Sequence, residues 1–194
     1  YNTAKNLEKQ NISDGRFLSG WAYFNGVGTK VNLQSSFKSF SSCSDLNCKV
    51  MTKILNLKLS SSANSVKNYL ADLEKFNNKK NLEKLLPDVK GEMFFQLGKT
   101  YINNKDNRSK RKGMGFLEES IKFGNLNSLE FLCRAAGRGK GIPRDVGLAL
   151  SYCIEASDAG SVNSLTYNMI GELLENDTGR STSFSSLVSV YSKS

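Results

Sequence analysis

Histidine is absent from the 194 residues, and with it go the histidine-based catalytic triads and the commonest protein metal ligand. Long apolar runs are missing as well: none approaches the roughly 18 residues that a membrane-spanning helix needs. There is no P-loop and no dinucleotide fingerprint, because the glycines of the GRGKG stretch fall between two helical patterns and not after a strand. The cysteine spacing, C-x4-C followed by a distant pair, is not that of a zinc site. Glu118, Glu119, Glu172 and Glu175 stand on helical faces, where they read as solvated charges. An enzyme built on this sequence would have to work with carboxylates alone. The chain therefore reads as non-enzymatic, with no catalytic residue, no metal site and no cofactor.

What is present is an ordinary apolar share, 39%, with four cysteines and a net charge of +9 at a pI near 9.4. Such a composition folds and does not signal wholesale disorder. The positive charge fits solubility, an acidic protein partner, an anionic membrane surface or nucleic acid. No nucleic-acid recognition motif accompanies it, and no basic amphipathic face suited to lipid is evident. Nucleic acid is accordingly not expected.

Residues 128–160 organise the chain. Leu129, Leu132, Cys133 and Ala136 recur at helical spacing, and Val146, Leu148, Ala149, Tyr152, Cys153 and Ala156 do so again after a turn. Gly137, Gly139 and Gly141 permit the turn, and Asp145 is placed to cap the second helix. Gly139, Gly141, Ile142, Asp145, Ala149, Tyr152, Ala156 and Gly160 together resemble a Sel1-like repeat, a relative of the tetratricopeptide helix pair. Leu132 matches that family's leucine, whereas Cys133 stands where its glycine normally follows. The resemblance implies an all-α fold: a right-handed superhelical solenoid of helix-turn-helix repeats.

Other stretches carry the same pattern. In 14–44, Gly20, Tyr23, Gly26 and Gly28 match the first helix and turn, with Asn32 in place of the capping Asp and a degenerate second helix. Trp21 and Phe24 read there as packing residues. In 91–126, Leu97, Gly98 and Tyr101 match the first helix and Gly124 the closing glycine. Gly124 and Gly160 are 36 positions apart (160 less 124), the register of adjacent Sel1-like units. Residues 127–162 form the best copy, and 163–194 a partial repeat with a C-terminal cap that is Ser-rich and polar or frayed. Residues 1–13 read as a short leading helix or arm. Residues 49–90 do not fit the pattern and are expected as a divergent helical insert, either one helix pair or a separate subdomain. Within it, 49–62 favours helix, with a strand as the alternative, and Pro87 marks a stop near Leu86.

Because repeat units contact mainly their neighbours, the resemblance favours two local bridges, Cys43 with Cys48 and Cys133 with Cys153. Four buried free thiols in a cytosolic protein are the alternative. Bridges, together with a first residue that is Tyr1 and not Met, point to an oxidising compartment, periplasmic or secreted. Lys105, Arg108, Lys110, Arg111 and Lys112 lie where a glycine-rich turn is expected, and Arg138, Lys140 and Arg144 lie in the next turn. Stacked repeats would bring both clusters to one edge as a basic stripe, which either steers an acidic partner or is merely solvated.

Proteins of the resembled family outside the cytoplasm include scaffolds of secretion and flagellar systems and host-interaction factors. They also include periplasmic immunity proteins that neutralise type VI secretion phospholipases. The resemblance thus implies a protein-protein interaction module. Its partner would be another protein, such as a lipase-type effector or the components of an envelope machine.

Overall fold

A computed structural model describes residues 5–6, 13–161 and 164–177. The described residues form helices and no strands. In chain order these are α1 (Ser13–Asn25), α2 (Leu33–Ser41), α3 (Leu46–Leu59), α4 (Ala63–Glu74), α5 (Lys79–Leu82), α6 (Pro87–Ile102), α7 (Asn107–Lys122), α8 (Leu126–Arg138), α9 (Val146–Asp158) and α10 (Ser164–Asp177). The sequence expectations for 1–4, 7–12, 162–163 and 178–194 lie outside the described residues.

Local chemistry sets the helix starts. Asn32 accepts a bond from the Ser35 amide at 2.9 Å, Asp106 from Ser109 at 2.8 Å and Asp145 from Leu148 at 2.9 Å. Each satisfies one orphan donor of a first turn. Ser62 precedes α4 but makes no side-chain cap bond. Pro87 opens α6 at a position whose amide has no helical partner in any case, so this proline starts a helix as well as ending the preceding turn.

The helices pack as successive pairs: α1 on α2, α3 on α4, α6 on α7 and α8 on α9, with α10 against both members of the last pair. The 49–90 stretch is helical and takes the place of one pair. Its α3 touches α2 on one side and α6 on the other. Val50, Met51 and Ile54 of α3 are fully buried among Phe40, Leu73, Met93 and Leu97. A second core runs from Ile102 and Leu117 through Leu132, Ala136, Ala149 and Met169. Helix α6 joins the two, and every residue from 91 to 98 is buried. A helix buried on all sides over two turns sits inside the protein, and its polar Glu92 and Gln96 satisfy one another there at 2.8 Å.

The turns repeat in detail. The Val27 amide donates to Ala22 O at 3.0 Å and the Asn32 amide to Tyr23 O at 2.9 Å. The same two bonds recur 113 positions later (22 to 135, 32 to 145), from Lys140 to Ala135 O at 2.9 Å and from Asp145 to Ala136 O at 3.0 Å. Gly139 has φ +66° and Gly141 φ +89°, and a Cβ on Gly141 would lie 2.6 Å from Ile102 Cγ2. That turn is therefore pressed onto the end of α6, and only glycine allows both the conformation and the approach.

Both expected disulfides are present. Cys43 is joined to Cys48 and Cys133 to Cys153, leaving no free cysteine. The second occupies an equivalent place in its pair to two non-covalent contacts. Gly20 of α1 faces Phe40 of α2, and Gly98 of α6 faces Leu117 of α7, with virtual Cβ distances of 2.8 Å and 2.6 Å. Where those pairs set a glycine against a large apolar group, α8 and α9 set cysteine against cysteine.

Candidate interaction surface

The stacking brings the turn after α6 beside the turn after α8. Asn103, at the end of α6, and Lys140, just beyond α8, line one cavity with Phe131, Arg134, Ala135 and Arg138. The cavity holds about 280 Å³. Phe131, Arg134 and Arg138 are spaced by three and four positions, so they share a face of α8. Phe131 is half-buried and meets Phe95 edge-on at 6.3 Å between ring centres, giving the cavity an apolar wall.

Its cations are loosely held. Arg138 Nη2 is 3.5 Å from Glu172 Oε2 on α10, with both side chains half exposed. Arg134 Nη1 is 3.8 Å from Glu130 Oε2, outside hydrogen-bond reach. That nitrogen is shielded from solvent and has no hydrogen-bond partner among the described residues. Glu130 meanwhile accepts a 2.6 Å bond from Ser161 Oγ. Phe131, Arg134 and Asn103 did not stand out in the sequence. The signal was available in FLCRAAGRGK, where Arg134 and Arg138 are four apart and Phe131 precedes them by one turn.

The residues of the expected stripe meet different fates. Lys105 is exposed in the connection before α7. Arg108, Lys110, Arg111 and Lys112 are helical, on the first turns of α7, not in a loop. The reason is the Asp106 cap, whose carboxyl is held below its usual range by its bonds to Ser109. Arg108 and Arg111 face solvent, and Lys110 is half-buried. Lys112 is exposed but engaged: its ammonium bonds Glu74 of α4 and Tyr101 OH, the latter at 3.0 Å, and lies 4.4 Å from the Tyr101 ring centre. Tyr101 OH itself donates to Glu74 at 2.7 Å. The Glu74 carboxylate and then the Tyr101 hydroxyl push the Lys112 ammonium upward, and burial followed by Glu74 raises the Tyr101 phenol. Arg144 is exposed, yet its Nε donates to Gly137 O at 3.1 Å and braces the turn.

Among the residues expected to carry the repeat, Leu97 and Ala149 are buried core residues. Tyr152 is half-buried, its phenol raised by desolvation and by Glu118 and Glu155. Gly26, Gly28, Gly124, Gly139, Gly141 and Gly160 all have positive φ. Trp21 and Phe24 stack at 5.9 Å and pack against the first core. They also edge a smaller cleft of about 160 Å³ with Asp88, Glu92 and Phe123. Its acidic side is met from within, since Lys58 Nζ lies 4.7 Å over Phe24 and 3.2 Å from Glu92 Oε1. Among the described residues there is no cluster of three or more acidic or cysteine ligands fit for a metal, and no helix is long and apolar enough to cross a membrane.

No family model matches the chain, and no curated protein matches it. A search of solved structures finds a likeness to a Sel1 repeat protein from Oxalobacter formigenes. Its identity is 16% and its TM-score 0.49, over 81% of this chain and 61% of that one.

Proposed function

We propose that this protein is a non-enzymatic protein-protein interaction module that binds an acidic partner along the edge where its turns align. One observation carries the reading: two successive turns meet around a cavity whose rim bears Arg134, Arg138 and Lys140. Arg108 and Arg111 are exposed on the neighbouring α7. Charges at such a rim speed encounter with an oppositely charged protein more than they tighten the final complex. The two disulfides favour an oxidising compartment, periplasmic or secreted. In that setting we favour an immunity protein that covers the active-site mouth of a secreted phospholipase-type effector, over a scaffold in a flagellar or secretion machine. The stack of helix pairs supports partner binding in general, and the finer choice is prompted by the compartment that the disulfides favour and by the divergent 49–90 insert.

The test is affinity capture with the oxidised protein in envelope extract, followed by assay of what is retained. A single lipase retained at near-equal amount and inactivated by this chain is the expected result. Recovery of envelope-machine components would replace the immunity reading with the scaffold one. Recovery of no partner across extracts would overturn the interaction reading altogether.

A further inference from the structure

We propose that the cavity on α8 is a subsite for one carboxylate side chain, an Asp or Glu from an acidic partner segment whose neighbouring apolar residue lies on Phe131. The proposal rests on the interaction reading above and sharpens it to a group and a place. Three features converge. Arg134 lines the cavity, and its ion pair with Glu130 at 3.8 Å lies outside hydrogen-bond reach, so its guanidinium keeps donors for an incoming acceptor. Arg134 and Arg138 present guanidinium forks from one helix face, and the fork matches the two oxygens of a carboxylate. Phe131 adds an apolar surface one turn before Arg134 on the same face, and Asn103 adds an amide at the rim.

Charge selects among oxyanions. The three cations Arg134, Arg138 and Lys140 are offset in part by Glu130, 3.8 Å from Arg134, and by Glu172, 3.5 Å from Arg138. The local balance is close to one positive charge, which suits a singly charged carboxylate. A phosphate dianion would be repelled by the same two acidic groups, and a polyanionic nucleic-acid strand more so. The volume of about 280 Å³ admits a side chain and not a folded element.

The probe is the peptide acetyl-Ala-Leu-Glu-Leu-Ala-amide, titrated into the isotope-labelled, oxidised full chain and followed by NMR at the Arg134 Nε–H and the Asn103 amide. Saturable shifts at both groups are expected. The Gln-containing control peptide should bind at least about tenfold more weakly, equivalent to about 1.4 kcal/mol. Arg134→Gln, with an unchanged backbone spectrum, should remove the response, and sodium acetate should compete. Absence of shifts at Arg134 in the wild-type chain would overturn the proposal, as would equal response to the Glu and Gln peptides. Tighter saturation by inorganic phosphate than by the Glu peptide would overturn the carboxylate assignment. Captured partner that binds Arg134→Gln as well as wild type would refute this subsite while leaving the interaction reading standing. Conversely, saturation by the peptide without any captured partner would leave the subsite and remove the broader role.

Discussion

Glu92 is a carboxylate with almost no contact with water, 3% exposed, and the surrounding residues explain how it is kept there. Gln96 Nε2 donates to it at 2.8 Å, Lys58 Nζ at 3.2 Å and Asn125 Nδ2 at 3.2 Å. It thereby ties α3, α6 and the start of α8. Glu92→Ala would leave two amide groups in or near the core without their acceptor. Each orphaned group costs about 1–3 kcal/mol, so urea unfolding of Glu92→Ala should show a loss of about 2 kcal/mol or more. Asp72 gives a pH-dependent counterpart. The Lys53 and Lys75 ammonium groups bond it at 2.8 Å and 2.7 Å and draw its pKa from the usual 3.8 down to about 2. A depressed folded-state value means that the stabilisation is complete above the unfolded value near 4 and disappears as pH falls through about 2. Solvent access limits it to about 1 kcal/mol. Wild type and Asp72→Asn should therefore differ in urea midpoint at pH 5, and the difference should shrink toward zero between pH 4 and pH 2.

At the scale of the elements, three helix pairs share one close crossing, made in two chemistries. A Cβ at Gly98 would stand 2.6 Å from Leu117 Cγ and 2.9 Å from Gly113 O. Gly98→Ala should accordingly push α6 from α7 and cost about 1–3 kcal/mol by overpacking. In the α8–α9 pair, the Cys133–Cys153 bridge closes a loop of 20 residues, for which chain entropy implies about 3 kcal/mol. The double change Cys133→Ser/Cys153→Ser should lower stability by roughly that amount. Cys133→Gly/Cys153→Leu restores the pairing used by Gly98 and Leu117, and should recover about 1–2 kcal/mol of the loss through apolar burial. Thermal melts of the three proteins test this. Much of this level was legible beforehand. Glycine spacing located the turns at 26–28 and 139–141, and Asp145 and Asn32 located the caps, because these depend on local backbone chemistry. The start of α7 was not legible, since NNKDNRSKRK is strongly polar and only the Asp106–Ser109 bond shows that it enters a helix. Most of the cavity's lining was readable in FLCRAAGRGK, but spacing within one helix does not show that Asn103 of the preceding unit comes alongside to close it.

For the whole molecule, the decisive element is the 49–90 stretch, which carries no repeat signature and yet stands in the stack as a pair. Its pattern gave helices; its role as a unit follows only from the non-local burial of Val50, Met51 and Ile54 between α2 and α6. In a stack whose units lean on their neighbours, such a unit is not dispensable. Deleting 49–86 should give a chain that binds hydrophobic dye and melts without a cooperative transition, as read by fluorescence and circular dichroism. The placing of the two bridges bears on how the molecule would answer a pull on its ends. Cys43–Cys48 and Cys133–Cys153 each clasp a short local stretch, so a tensile load cannot draw out the loops that they close. Outside those two loops no covalent clasp exists, so the molecule would lengthen under force only by opening the helices before Cys43, between Cys48 and Cys133, and after Cys153.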